Sequence, residues 1–256
     1  ARGSAGGAGS STIGLHLNGY TDGATALVDR VVIASQGNAV DFGDMTVARF
    51  KSSSTSNSVR AFASGGNTPT AQNVIDSISI STGGNGVDFG DLTVARGNHC
   101  FVSEAHGGLN EGYQGTRIRP IPQGAGAGQR LLAFAGYTDA YQSAIDTLTI
   151  STLGNMSNFG DNSQAQQAQG GCSSSTRGIC INGAAPSNYS GMRYVQFASE
   201  GNSASFGDVT TYRRGDTGGS NETRGFIGGG YDGSSRINTI DYITIATLGN
   251  ASDFGD

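Results

Sequence analysis

The residues best suited to chemistry gather in one stretch of the chain. His99, Glu104, His106, Glu111, Tyr113, Arg117 and Arg119 lie close together and include two of the three histidines and two of the four glutamates. Imidazoles and carboxylates move protons and bind metals, and guanidinium groups grip anions. A zinc site needs further cysteine or carboxylate ligands at short fixed spacing, and His99 and His106 have none. No Gly-x-Ser-x-Gly elbow, phosphate loop or dinucleotide fingerprint occurs. The stretch therefore reads as a candidate binding loop, with no catalytic residue, metal or cofactor assigned to it. The alternative is a loop packed on a neighbouring subunit or simply solvated.

The other carboxylates are repeated. Three groups account for 12 of the 20 acids: Asp41, Asp88 and Asp253; Asp44, Asp91, Asp161, Asp208 and Asp256; Asp29, Asp76, Asp146 and Asp241. A catalytic acid is needed once, so a carboxylate present in every repeat is structural, expected to accept backbone N–H groups at turns. Arg60, Arg130, Arg177 and Arg224 also recur, as candidate partners of such acids between repeats. Glycan cleavage would need two or three unrepeated acids converging at one centre. Glu104, Glu111, Glu200 and Glu222 are the only glutamates for that role.

These residues are carried by a tandem repeat. Gly-Asn-x-x-x-Phe-Gly-Asp occurs five times, ending near residues 44, 91, 161, 208 and 256. Its phenylalanines are Phe42, Phe89, Phe159, Phe206 and Phe254, spaced by 47, 70, 47 and 48 residues. Each Phe is expected to fill the gap between neighbouring units. Before each signature, apolar residues alternate with polar ones, as in Ile75-Asp76-Ser77-Ile78-Ser79-Ile80. Alternation with β-branched residues predicts a strand, and Gly-Asn predicts a tight hairpin turn after it. A second strand precedes it, such as Thr223 to Gly230, and a further segment follows each Asp, such as Met45 to Arg49. About four antiparallel strands in 40 to 50 residues make one propeller blade.

The prediction is an all-β chain, one five-bladed β-propeller domain over residues 1–256. Ala1-Arg2-Gly3 matches Ala95-Arg96-Gly97, so the N-terminal segment is expected to complete the last blade, begun by the C-terminal repeat. The long third spacing places an insertion of about 23 residues within 97–128. Long loops of this kind are functional or mobile.

Composition agrees and removes several classes. Gly is 43 of 256 residues, against long helices. The net charge of −5 and a single lysine, Lys51, give no basic surface for nucleic acid. No apolar run approaches the ~20 residues that span a bilayer. Cys100, Cys172 and Cys180 are too few for a disulfide framework. Cys172 and Cys180 either pair across a hairpin or are small buried side chains. The first residues are not a signal peptide, and without a starting Met the chain is expected to be processed or part of a longer one.

The order of an Arg, an apolar strand ending in Gly-Gly, an Ile-Asp strand, a turn and an aromatic strand resembles the kelch repeat, with Phe where kelch blades carry Trp. The repeat is more similar still to tandem repeats in tail-fibre-like virion structural proteins of tailed marine phages, including cyanophages. Asp241 to Asp256, Asp88 to Arg96 and Ser173 to Gly178 carry that pattern. The resemblance implies a kelch-like propeller in an extracellular virion, without catalysis, oligomeric within the particle. Its implied partners are other virion proteins and a host surface glycan or protein receptor. A lectin-like propeller with repeated sugar sites and a glycan-cleaving propeller are the alternatives.

Overall fold

The computed structural model describes residues 2–105, 130–167, 170–184 and 189–256. They form five four-stranded antiparallel sheets arranged as a five-bladed β-propeller, with no helix. Each sheet takes its strands in sequence order. Blade one holds β1 (Gly6–Gly9), β2 (Ile13–Tyr20), β3 (Ala24–Val32) and β4 (Val40–Arg49). Blade two holds β5 (Ser53–Ser56), β6 (Arg60–Ser64), β7 (Val74–Ser79) and β8 (Val87–Asp91). Blade three holds β9 (Cys100–Ser103), β10 (Arg130–Tyr137), β11 (Tyr141–Thr149) and β12 (Ser157–Gln166). Blade four holds β13 (Gly170–Ser173), β14 (Arg177–Gly183), β15 (Tyr189–Gln196) and β16 (Ala204–Asp208). Blade five holds β17 (Thr217–Ser220), β18 (Arg224–Gly228), β19 (Ile240–Thr244) and β20 (Ser252–Gly255).

Two expectations about strand assignment change. The fourth strand of each blade is not the segment after the signature Asp. It is a short inner strand of four residues, β1, β5, β9, β13 or β17, rich in Gly and Ser except for Cys-Phe-Val-Ser in β9, and too short to show as a strand by apolar alternation. The last blade is also not completed by the N-terminal segment: β1 pairs with β2, and β17 to β20 all come from the C-terminal repeat. The physical blade begins after the Ala-Arg-Gly junction, so the residues following Ala1-Arg2-Gly3 open blade one.

The signature Phe sits at a β-bulge in every blade. In blade one Asp29 pairs with Asp41 and Val28 with Gly43, leaving Phe42 as the extra residue. The same skip leaves out Phe89, Phe159, Phe206 and Phe254. A bulge bends its strand and re-aims a side chain, and for Phe89, Phe159 and Phe206 it turns the ring into the joint with the next blade. The carboxylates of Asp41, Asp88 and Asp253 cap it, accepting the N–H two residues on at 3.0–3.2 Å.

The core lies between blades. One apolar cluster joins Leu15, Leu17 and Val28 of blade one to Ile78 and Ile80 of blade two. Another joins Phe62 and Phe89 to Leu148 and Ile150, with Phe62 and Phe89 edge to face at 5.2 Å. Two further clusters link blade three to four and four to five. Phe89, Phe159 and Phe206 are buried in these joints as expected. Phe42 is half-buried, and Phe254 departs from the expectation, being exposed.

Candidate functional site

The Gly-Asn of each signature is not a two-residue hairpin turn. It lies in a longer loop that reaches back to the preceding blade, where three bonds form. Gly201 N–H donates to Phe159 O at 2.9 Å, Ser203 N–H donates to Asp161 O at 2.9 Å, and Asn202 Oδ1 accepts the Asp161 N–H at 2.9 Å. The same trio ties Phe42 and Asp44 to Gly84, Asn85 and Gly86, and ties Phe89 and Asp91 to Gly154, Asn155 and Met156. Phe206 and Asp208 are held likewise by Gly249, Asn250 and Ala251. The expected turn-capping by the terminal Asp carboxylates is thus corrected. Asp44, Asp91, Asp161 and Asp208 serve chiefly through their backbone, and two of the carboxylates, on Asp161 and Asp208, accept Ser143 and Ser190 hydroxyls.

The segment after the signature supplies a second joint. Thr46 and Arg49 both grip Asp76 in blade two, at 2.5 and 2.8 Å. Thr93 and Arg96 hold Asp146 at 2.7 and 2.8 Å, and Thr210 and Arg213 hold Asp241. These three arginines and three aspartates are wholly buried. Burial lowers the Arg49 pKa and raises that of Asp76, while each charge pulls the other back. Arg2 makes the corresponding pair with Asp29 at 2.5 Å. Blade four differs: Gln166 replaces the arginine and donates to Asn182 O at 2.8 Å, and Arg193 replaces the aspartate, lying 5.1 Å over Tyr189. Among the described residues, the arginines expected to meet acids form no ion pair with one. Arg130 and Arg177 donate to the carbonyls of Phe197 and Ile245 in the next blade, and Arg224 lies 5.1 Å over Tyr242.

The inner strands surround a central cavity of about 600 Å³. Four of the seams in its wall are laced by a serine ladder. Ser56, Ser103, Ser173 and Ser220 each donate their hydroxyl to the carbonyl of the rung before, on Gly9, Ser56, Ser103 and Ser173, at 2.6–2.7 Å. Only small side chains permit this approach; a Cβ on Gly218 would stand 2.1 Å from Gly171 O. The signal in the sequence is that these serines keep the phase of the signature, 47, 70 and 47 residues apart.

Charge enters the cavity at Asp216. Both its oxygens are buried without a side-chain partner among the described residues, and burial pushes the carboxyl up to about 7 against the pull of nearby amides and Arg213. His99 borders the same cavity, with Nε2 2.7 Å from Ser64 Oγ and Nδ1 unpartnered among the described residues. Burial, then Arg96 and Arg49, hold its pKa well below the usual imidazole value, so the ring is neutral. Cys100, Cys172 and Cys180 are buried thiols; no disulfide joins Cys172 to Cys180. Burial pushes the Cys172 thiol up to about 12.

The candidate binding loop divides. His99 and Glu104 flank β9 and belong to the fold, both buried. Glu104 Oε1 accepts the Arg130 N–H at 2.8 Å. Five residues of extended chain hold them roughly 16 Å apart, so they form no joint site. His106, Glu111, Tyr113, Arg117 and Arg119 lie outside the described residues. The inserted length therefore starts later than Gly97, after the inner strand of blade three. Of the glutamates weighed for glycan cleavage, Glu104, Glu200 and Glu222 do not line the central cavity, and Glu111 lies outside the described residues. Among the described residues no three His, Cys, Asp or Glu side chains gather as a metal site. No family model and no curated protein matches the chain.

Proposed function

We propose that this chain is a non-enzymatic structural and adhesion module of a phage virion, presenting loops on a rigid ring to neighbouring virion proteins or the host surface. The observation that supports this reading is where the repeat spends its polar groups. Three of its arginines and their aspartates are wholly buried pairs, its asparagines clasp adjacent blades, and its serines zip the inner wall. Groups held this way are unavailable for turnover and give a stiff frame, and recognition then falls to the connecting loops. Several weak loop contacts, multiplied over copies in a particle, give avidity.

The test is adhesion of the labelled protein to host cells, compared with a variant in which residues 106–128 are replaced by a short Gly/Ser linker. Saturable binding lost in the variant supports the adhesion role. Absence of binding, together with absence of the protein from purified particles, overturns the proposal. The lectin-like alternative has one observation behind it. Tyr20, Tyr137 and Tyr231 occupy the same phase, each bridged to the incoming inner segment at Gly3, Gly97 and Arg214. A glycan array without signal removes it.

A further inference from the structure

Four junctions of the propeller are clasped, and the junction between blade five and blade one is not. None of the three signature bonds has a counterpart between Phe254 or Asp256 and Gly37, Asn38 or Ala39. A Cβ on Gly43, Gly90, Gly160 or Gly207 would meet the next blade's Gly carbonyl within 2.2 Å, whereas one on Gly255 would meet nothing within 4 Å. The serine ladder also ends here, since Gly9 has no hydroxyl to offer Ser220.

Apolar side chains are bare on both sides of that junction. Val31 and Ile33 are 41% and 59% exposed, while Ile78, Ile80, Leu148, Ile150, Val195, Phe197, Ile243 and Ile245, at the same two positions of the other blades, are all buried against the preceding blade. On the other side Phe254 is 56% exposed, with Phe226 stacked edge to face on it at 5.2 Å. Its equivalents Phe89, Phe159 and Phe206 are buried against the following blade. Blade one thus presents the receiving half of a junction whose closed form occurs four times in the chain, and blade five presents the inserting half. The repeat itself says what covers each face: the opposite face of another such blade.

We propose that these two faces form a head-to-tail interface between copies of this chain, blade five of one copy clasping blade one of the next. Phe254 enters against Val31 and Ile33 of the next copy, and Gly37 and Asn38 of that copy bond the backbone at Phe254 and Asp256. The two faces stand unjoined within a single chain, although the inner strands of both blades border one cavity. Both halves therefore remain open to a second molecule. The contact is heterologous, so it builds chains rather than a closed symmetric pair. It does not depend on the adhesion proposal.

Sedimentation velocity on the full chain tests this. The expected result is concentration-dependent growth from the 26.0 kDa monomer into a ladder of multiples. Phe254→Asp and Ile33→Asp each destroy one half, and each alone should remain monomeric, its affinity reduced at least tenfold. An equimolar mixture of the two variants retains one good face on each, and should give a dimer and nothing larger. Both changes fall on exposed side chains, and unchanged melting of the single-chain fold verifies folding. A wild-type chain that stays monomeric at every concentration has closed on itself or stays bare, which overturns the proposal. So does self-association of either variant alone, which points to a like-on-like contact, or a mixture that stays monomeric.

Discussion

Replacing Gly207 by Ala, with Gly255→Ala as its twin, isolates the inter-blade clasp. The two glycines hold the same place in the signature and similar backbone angles, φ +153° and +141°. A Cβ in either conformation costs about 1–3 kcal/mol of strain, and that cost is common to both. At Gly207 the new methyl would also stand 2.1 Å from Gly249 O, a backbone atom that must retreat by about an ångström. Retreat breaks the bonds from Gly249 N–H to Phe206 O (2.9 Å), from Ala251 N–H to Asp208 O (2.8 Å) and from Asp208 N–H to Asn250 Oδ1 (3.0 Å). Each is worth about 1 kcal/mol net. Gly207→Ala should therefore cost about 3 kcal/mol more than Gly255→Ala. For a chain of this size that is roughly 6–12 °C of additional loss in Tm. The assay is thermal and denaturant unfolding of both variants at concentrations where the chain is monomeric, so that no second copy meets Gly255. Equal losses, within about 1 kcal/mol, would refute the clasp as a source of stability.

Three other outcomes follow from the buried charges and thiols. Asp216 has its carboxyl raised to about 7 by burial, so its contribution to stability is present at low pH and is lost as pH rises toward and through 7. Asp216→Asn should therefore gain on the wild type between pH 4 and 8, by at most about 4 kcal/mol; a difference in unfolding free energy that is flat with pH refutes it. Arg96→Gln leaves Asp146 buried without its counter-charge, though still bonded by Thr93, and should cost about 3–5 kcal/mol. Adding Asp146→Asn should recover part of that loss in a denaturation double-mutant cycle; simple additivity counts against the pairing. Cys100, Cys172 and Cys180 should resist a thiol reagent in the folded protein and all react in denaturant, because none is exposed and the Cys172 thiol is raised to about 12. Rapid labelling of the native chain would show that the inter-blade joints open readily.

The blade count and the outer three strands were legible because their signals are strong and repeated. Ile75-Asp76-Ser77-Ile78 alternates cleanly, and Phe-Gly-Asp recurs at a propeller spacing. The inner strands were not legible. Ser53–Ser56 and Thr217–Ser220 have no apolar alternation, and what makes them strands is the ladder each forms with the second strand of its blade, β6 and β18. The Gly-Asn was misread for a similar reason. Its composition suits a hairpin, but its bonds go to another blade, which a local rule does not see. Thr46, Arg49 and Asp76 stood in plain view as separate repeat positions. That they form one buried site follows only from the stagger of each blade on the last. Among the candidate loop residues, His99 and Glu104 look reactive by type, but β9 between them makes both part of the buried fold.

The arginine–aspartate joint also determines which piece of this chain can be shuffled. Each arginine precedes the inner strand of the blade that carries its aspartate, as Arg49 precedes β5 and Asp76 lies in β7. A cassette cut just before the arginine moves with its own counter-ion. One cut just after it leaves the recipient's arginine to pair with the incoming aspartate, which matches wherever both joints carry the Arg–Asp pair. Blade four obeys the same phase, since Gln166 and Arg193 travel together only under the first cut. A cut before that first member therefore carries every blade, blade four included, without mismatching a joint, and engineered propellers of altered length should be spliced there.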